Sequence, residues 1–302
     1  MILNLEQIKA LTVGAVDVEK KEDGLHFYKM KKCQIDAFYA LSDILGFRAE
    51  TTTGIRLDFE TDSRYLALDI KGGTRFEYLV DGVYQGALMD SRIDLAAPCR
   101  LTLCFPSHEI GVIDKIELSD GARATRHKFD RKLLFIGDSI TQGWNSGIDT
   151  LSYAYRTSFA LNADSIIQGV GGAYYHASTF ADSGFAPDTV IVAYGTNDVN
   201  HFKTKDEMIE QLRLYLTKVK ETYGQSKICA ISPIWVSGGN EEKRMGNLWD
   251  CYALIADEIE KCGVEHIRGL DLVPHERRYF ADDLHPNKDG FGEYAENLVK
   301  SI

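Results

Sequence analysis

The chain has 302 residues, enough for one large or two ordinary domains and too many for a stapled mini-domain. Hydrophobic residues make up 44% and charged residues 26%, a globular composition that excludes global disorder. Thirty-four basic against 45 acidic side chains leave a net charge of −11, the wrong sign for a partner of nucleic acid or of an anionic membrane surface.

The first residues, Met1-Ile-Leu-Asn-Leu-Glu6, carry neither the basic nor the apolar region of an export signal, and no run approaches the ~20 apolar residues of a membrane span. The expectation is a cytoplasmic protein whose six cysteines, none in a C-x-x-C pair, are reduced. From there to about residue 128 the pattern is β-rich. Short apolar or alternating runs recur at Ile55–Phe59, Tyr65–Ile70, Phe76–Val80, Arg100–Phe105 and Val112–Leu118. Turn chemistry separates them, and Asp81-Gly82 before Val83-Tyr84 is the strongest hairpin signal. Strands at this spacing predict an all-β sandwich or jelly roll over 1–128.

Gly121–Lys128 is small and polar and reads as a linker. Beyond it strands alternate with helices. Strand candidates are Leu133–Ile136, Ser165–Ile167, Thr189–Tyr194, Lys227–Ser232 and His266–Leu270. Met208, Leu212, Tyr215, Leu216 and Val219 form one helical stripe; Trp249, Tyr252, Ala253, Ala256 and Ile259 form another. This alternation predicts an α/β domain over 129–302, with a five-stranded parallel sheet between helical layers.

Four short segments carry chemistry. Gly137-Asp138-Ser139 follows the first of these strands, so Ser139 leaves the sheet at its carboxyl edge, where open α/β sheets bind ligands; Gly137 would allow a tight turn. Gln168-Gly169-Val-Gly171-Gly172-Ala-Tyr174 follows the second strand, and its glycines would expose N–H groups to an anion; Tyr174 breaks a dinucleotide G-x-G-x-x-G fingerprint. Gly195-Thr-Asn197-Asp198 closes the third, where the Asn197 amide could face an oxyanion. Asp282-Asp283-Leu-His285 sets a carboxylate three residues before a histidine, so Asp282 could hold one ring nitrogen and free the other as base. Each alone equally fits an ordinary turn or cap; their order along the chain is what carries weight.

In that order the segments resemble the four blocks of the SGNH hydrolases, also called the GDSL esterase superfamily. The resemblance implies Ser139 as nucleophile, His285 as general base and Asp282 as its orienting acid. It implies an oxyanion hole formed by the N–H groups of Ser139 and Gly172 and the side chain of Asn197. One departure is that the Asn usual before the second-block glycines is absent; Ile167 and Gln168 stand there, so Gly171 competes with Gly172 as donor. A sandwich before such a domain is similar to the two-domain carbohydrate esterases of family two, which deacetylate sugars. The implied activity is a serine esterase on short acyl, especially acetyl, esters of carbohydrates, acting on a small molecule or oligosaccharide without metal or cofactor. A lipase, lysophospholipase or thioesterase on the same scaffold, or a carbohydrate-binding protein without catalysis, are the alternatives. Trp144, Tyr174, Tyr194 and Trp235 stand in or beside the crevice loops as candidate substrate-stacking residues. Oligomeric state is not encoded in any readable motif.

Overall fold

The computed structural model describes residues 1–240 and 242–302. In the N-terminal half two antiparallel sheets face each other. One runs Thr12–Val13, Arg56–Thr61, Cys99–Cys104, Glu77–Val80 and Val83–Ala87, with Ala124–Arg126 also paired to Arg56–Thr61. The other runs Asp17–Lys21, Gly24–Tyr28, Val112–Leu118, Tyr65–Gly72 and Arg92–Asp94. Alternate residues point inward, so Leu57, Phe59, Leu101 and Leu103 meet Leu66, Leu68, Ile113 and Ile116 in a buried core. Asp81 and Gly82 both have positive φ, 50° and 78°, between the paired Val80 and Val83, as a two-residue hairpin of the twist-matching kind requires.

Three features of this half differ from the pattern read in the sequence. The strands Asp17–Lys21 and Gly24–Tyr28 complete the second sheet. The segment between that hairpin and Arg56 is helical, as Lys32–Leu41 and Asp43–Glu50. The Gly121–Lys128 stretch is no free linker, because Ala124–Arg126 adds to the first sheet. Arg126 then donates to Thr12 O and pairs with Asp164 at 2.9 Å, and His127 lies 2.8 Å from Glu60 and from Asn162.

The C-terminal sheet is parallel throughout, in the order Ala163–Gly169, Arg131–Gly137, Thr189–Ala193, Lys227–Ile231, Glu265–Ile267. Alternation along Arg131–Gly137 sends Leu134 and Ile136 to one face and Leu133 and Phe135 to the other. The first face packs on Lys205–Tyr223 and Leu248–Lys261, the second on Tyr153–Ala160 and Lys288–Ser301, giving three layers. The helix Lys205–Tyr223 buries the stripe Met208, Leu212, Tyr215, Leu216 and Val219. On Leu248–Lys261 the buried stripe is Cys251, Tyr252, Ile255, Glu258 and Ile259; Ala253 is exposed, and Glu258 is buried because Arg213 and Lys261 hold its carboxylate.

The two halves share polar and apolar contacts. Arg56, fully buried in a sandwich strand, donates to Ala163 O at 2.8 Å and Ser165 Oγ at 3.2 Å on the edge strand of the parallel sheet. Met30, Ile35, Phe38, Leu45 and Ala49, from the N-terminal helices and the strand end before them, belong to the same core as Ile136, Ile166, Val170 and Tyr175. The helices at 32–50 therefore sit on the parallel sheet, beside its edge strand Ala163–Gly169 and the loop that follows it.

Candidate active site

Ser139 begins the short helix Ser139–Gln142 at the carboxyl end of Arg131–Gly137. Asp138 caps that helix, its Oδ1 accepting the Ile140 N–H at 2.9 Å. Gly137 is needed for space rather than for an unusual turn: a Cβ there would lie 2.1 Å from Thr141 Oγ1 and 2.8 Å from Ala193 O.

Ser139 Oγ lies 2.8 Å from His285 Nε2, and His285 Nδ1 lies 2.9 Å from Asp282 Oδ2. Residues 281–285 form a bend closed by a bridge between Phe280 and Pro286. The other carboxylate oxygen of Asp282 accepts the N–H groups of Leu284 at 2.8 Å and His285 at 2.6 Å, which locks the acid to the base it faces. Burial alone would raise the Asp282 pKa, but these bonds from His285 and Leu284 outweigh it and hold the carboxyl below its usual range. With Asp282 accepting from Nδ1–H, Nε2 is left to take the Ser139 proton.

Gly171 and Gly172 are distinguished by their hydrogen bonds. The Gly171 N–H donates to Gln142 Oε1 at 2.7 Å. The Gly172 N–H has no acceptor among the described residues, and its φ of +85° suits glycine. The Ser139 N–H, first of its helix, also lacks an intrahelical acceptor. Asn197 is less free: its Nδ2 donates to Ala173 O at 3.0 Å and to Asp138 Oδ2 at 3.3 Å, which accounts for both amide hydrogens. Behind these groups lie two fully buried carboxyls, Asp138 and Asp198, each pushed up to about 7 by desolvation.

The four aromatic candidates separate. Trp144 is half-buried beside the Ser139–His285 pair, its ring centroid 6.3 Å from that of His285. Tyr174 stacks on His201 at 4.0 Å, two residues beyond Gly172. Tyr194 does not reach the crevice: it is 2% exposed and packs edge-on against Tyr175 and Tyr215, because alternation sends it into the helix-covered face. Trp235 packs on Phe280 at 5.2 Å and His275 at 5.9 Å rather than against Ser139 or His285.

Several residues at the site were not among those singled out in the sequence. Arg48, from the N-terminal helix Asp43–Glu50, places its guanidinium 5.0 Å over the Trp144 ring and donates to Gly171 O at 2.8 Å. His108, from a sandwich loop, meets Trp144 edge-on at 5.2 Å; burial, aided by the Arg75 and Lys29 charges, pushes its pKa down to about 4. It is therefore neutral near pH 7, and Arg48 carries the charge on that wall. Asn145 donates to Asp282 Oδ2 at 2.7 Å from a left-handed backbone position that its place in Asn145-Ser-Gly147 could have suggested.

Residues 135–291 match the model of the GDSL-like lipase/acylhydrolase family. No curated protein sequence matches the chain. Among solved structures, the salicylyl-acyltransferase SsfX3 of a tetracycline biosynthetic pathway superposes with a TM-score of 0.82 at 17% identity, covering 99% of this chain and 95% of that one. The acetyl xylan esterase Est2A of Butyrivibrio proteoclasticus gives 0.68 at 15% identity, covering 100% and 98%. A family two carbohydrate esterase of Clostridium thermocellum, solved with cellohexaose, gives 0.65 at 18% identity, covering 83% and 92%. At these identities the likeness is one of fold, and it extends across both halves of the chain. With more than half of its length matched by the family model, the chain belongs to the GDSL-like lipase/acylhydrolase family and is a carboxylic ester hydrolase.

Proposed function

We propose that this ester hydrolase removes short acyl groups, acetyl foremost, from carbohydrate hydroxyls, using Ser139 as nucleophile, His285 as general base and Asp282 as the acid that orients it. The observation that carries the catalytic reading is the unbroken relay Ser139–His285–Asp282 at 2.8 and 2.9 Å. His285 takes the Ser139 proton as Oγ attacks the ester carbonyl, then returns it to the leaving alcohol; water, deprotonated by the same imidazole, clears the acyl-enzyme. The oxyanion forms against the N–H groups of Ser139 and Gly172. Asn197 joins them by giving up its longer contact with Asp138 while keeping Ala173 O. Each such donor is worth roughly 3 kcal/mol of barrier.

Two observations support a short acyl group and a sugar. Leu45 Cδ2 and Arg48 Nη1 lie 3.4 and 3.3 Å from where a Cβ on Gly172 would stand, which leaves little room for a long chain over that glycine. Trp144 offers a half-buried ring beside His285, a surface on which a pyranose can stack. Two of the similar folds belong to an acetyl xylan esterase and to a carbohydrate esterase solved with cellohexaose. We take the sandwich, residues 1–128, and the parallel-sheet unit, residues 129–302, as its two domains.

A chain-length series of aryl esters tests this reading. Hydrolysis is expected to fall steeply from acetate to octanoate, Ser139→Ala is expected to abolish it with the fold intact, and acetylated xylo- or cello-oligosaccharides are expected to lose acetate. Rising activity with chain length would replace the reading with a lipase or thioesterase, and failure of an active-site serine probe to label Ser139 would remove catalysis altogether.

A further inference from the structure

The peptide between Gly171 and Gly172 is tied at its carbonyl and the peptide before it at its N–H, and the ties lead into the N-terminal half. Its carbonyl accepts from Arg48 Nη1 at 2.8 Å. The N–H of Gly171 is held by Gln142 Oε1, and Gln142 is itself anchored through Nε2 to Thr51 Oγ1 at 3.1 Å and Ser107 O at 2.9 Å. Beneath them Lys29, fully buried, donates to Arg48 O at 2.8 Å, Thr51 O at 2.7 Å and Thr51 Oγ1 at 2.9 Å. Among the described residues the Arg48 guanidinium has no carboxylate partner, and its one hydrogen bond is to Gly171 O. A trans peptide points its C=O and N–H in opposite directions. Fixing Gly171 O therefore fixes the direction of the Gly172 N–H, the donor that no protein acceptor takes.

We propose that Arg48 is a positioning residue of the oxyanion hole: from the helix Asp43–Glu50 it clamps the Gly171–Gly172 peptide so that the Gly172 N–H is pre-aimed at the developing oxyanion. The sandwich half is then part of the catalytic apparatus, because Arg48, Thr51 and Ser107 all hold the loop that carries this donor. The inference rests on the esterase reading and on Gly172 as donor. A donor aimed in advance costs nothing to reorganise when charge develops, so its loosening weakens the transition state more than the bound ester.

The test is steady-state kinetics on an uncharged aryl acetate, with thermal unfolding of each variant as a control. Arg48→Ala is expected to lower kcat by about 10- to 100-fold, below the 10²–10³ typical of deleting a donor outright, with KM within about twofold. Millimolar methylguanidinium is expected to restore part of that kcat, and Arg48→Lys is expected to fall between wild type and Arg48→Ala. Inhibition by an aryl boronate, whose oxygen occupies the oxyanion position, is expected to weaken in step with kcat. An unchanged kcat in a folded Arg48→Ala, or a rise in KM confined to carboxylate-bearing esters, overturns the positioning role; the latter makes Arg48 a substrate-binding residue instead. Should Arg48→Ala not fold, Arg48→Lys decides the matter by the same split. A wild type that neither hydrolyses esters nor labels at Ser139 overturns the esterase reading as well, and so is told apart from failure of this one.

Discussion

The hydrogen bonds around Asp282 make the conservative substitution Asp282→Asn more damaging than the drastic one. Oδ1 accepts two backbone N–H groups, from Leu284 and His285, and Oδ2 accepts from His285 Nδ1 and Asn145 Nδ2. An asparagine has a single acceptor oxygen. Two fixed backbone donors keep that oxygen at the Oδ1 position, so the new amide NH₂ faces His285 Nδ1. The imidazole must then accept at Nδ1 and carry its proton on Nε2, where it faces Ser139 Oγ and can no longer take a proton from it. A wrong tautomer of this kind costs roughly 10⁴ in kcat, or about 5 kcal/mol of barrier. Asp282→Ala removes the orienting charge without imposing the tautomer. The Asp282 side chain is 47% exposed, so water can enter the gap and accept from Nδ1–H. Its loss is expected to be about tenfold smaller than that of the Asn variant. Stopped-flow or steady-state hydrolysis of an aryl acetate at pH 7.5 measures both, with thermal unfolding showing that each variant is folded. An Asn variant within tenfold of wild type, or an Ala variant worse than the Asn variant, would refute the tautomer argument.

Three further outcomes follow from the geometry. Asp198 holds its proton to about pH 7 in the fold, through burial first and the neighbouring Asp138 charge second, but releases it near 3.8 when unfolded. The stability this contributes is full below about pH 4 and is lost as pH rises through 7. Wild type should therefore lose about 3 kcal/mol from pH 5 to pH 8 that Asp198→Asn keeps, and parallel urea-unfolding curves at the two pH values would contradict this. Arg56→Met leaves Ser165 Oγ and Ala163 O without their donor and half of the Asp58 ion pair missing, although Arg100 still holds Asp58 at 2.8 Å. A cost of about 3 kcal/mol in chemical denaturation is expected; less than 1 would mean that this inter-half contact is not structural. Trp144→Ala is expected to raise KM for an acetylated oligosaccharide several-fold, whereas Trp235→Ala should lower the melting temperature and leave KM alone; the opposite pattern would place the sugar on the Trp235 side.

The local signals held where one chemical cause controls one local shape. Asp81-Gly82 turns because those residue types tolerate positive φ, and the stripe of Lys205–Tyr223 and the parallel strands follow from apolar periodicity alone. The candidate-site residues Ser139, Gly172, Asn197, Asp282 and His285 were readable because Ser139 begins the helix that leaves the sheet, the others lie in loops or bends beyond it, and their order matches a known family. Aromatics beside crevice loops were not, since a loop-adjacent ring points either way: Tyr194 turned into the core and Trp144 toward His285.

What the amino-acid sequence determined by itself, then, was a β-rich half, an α/β half and the four ordered segments that meet at the candidate site. The −11 charge and 302-residue length with which it can first be described bounded the partners and the size but not the architecture. Only the tertiary structure decided that residues 32–50 are helices seated on the parallel sheet, that the Gly171 N–H is spent on Gln142 while that of Gly172 has no acceptor among the described residues, and that Arg48 reaches the site from the other half. The physical reason is range. Periodicity and turn preference act over a few neighbouring residues, whereas Arg48 meets Gly171 across 123 residues of chain, a contact that no local pattern encodes and that packing alone creates.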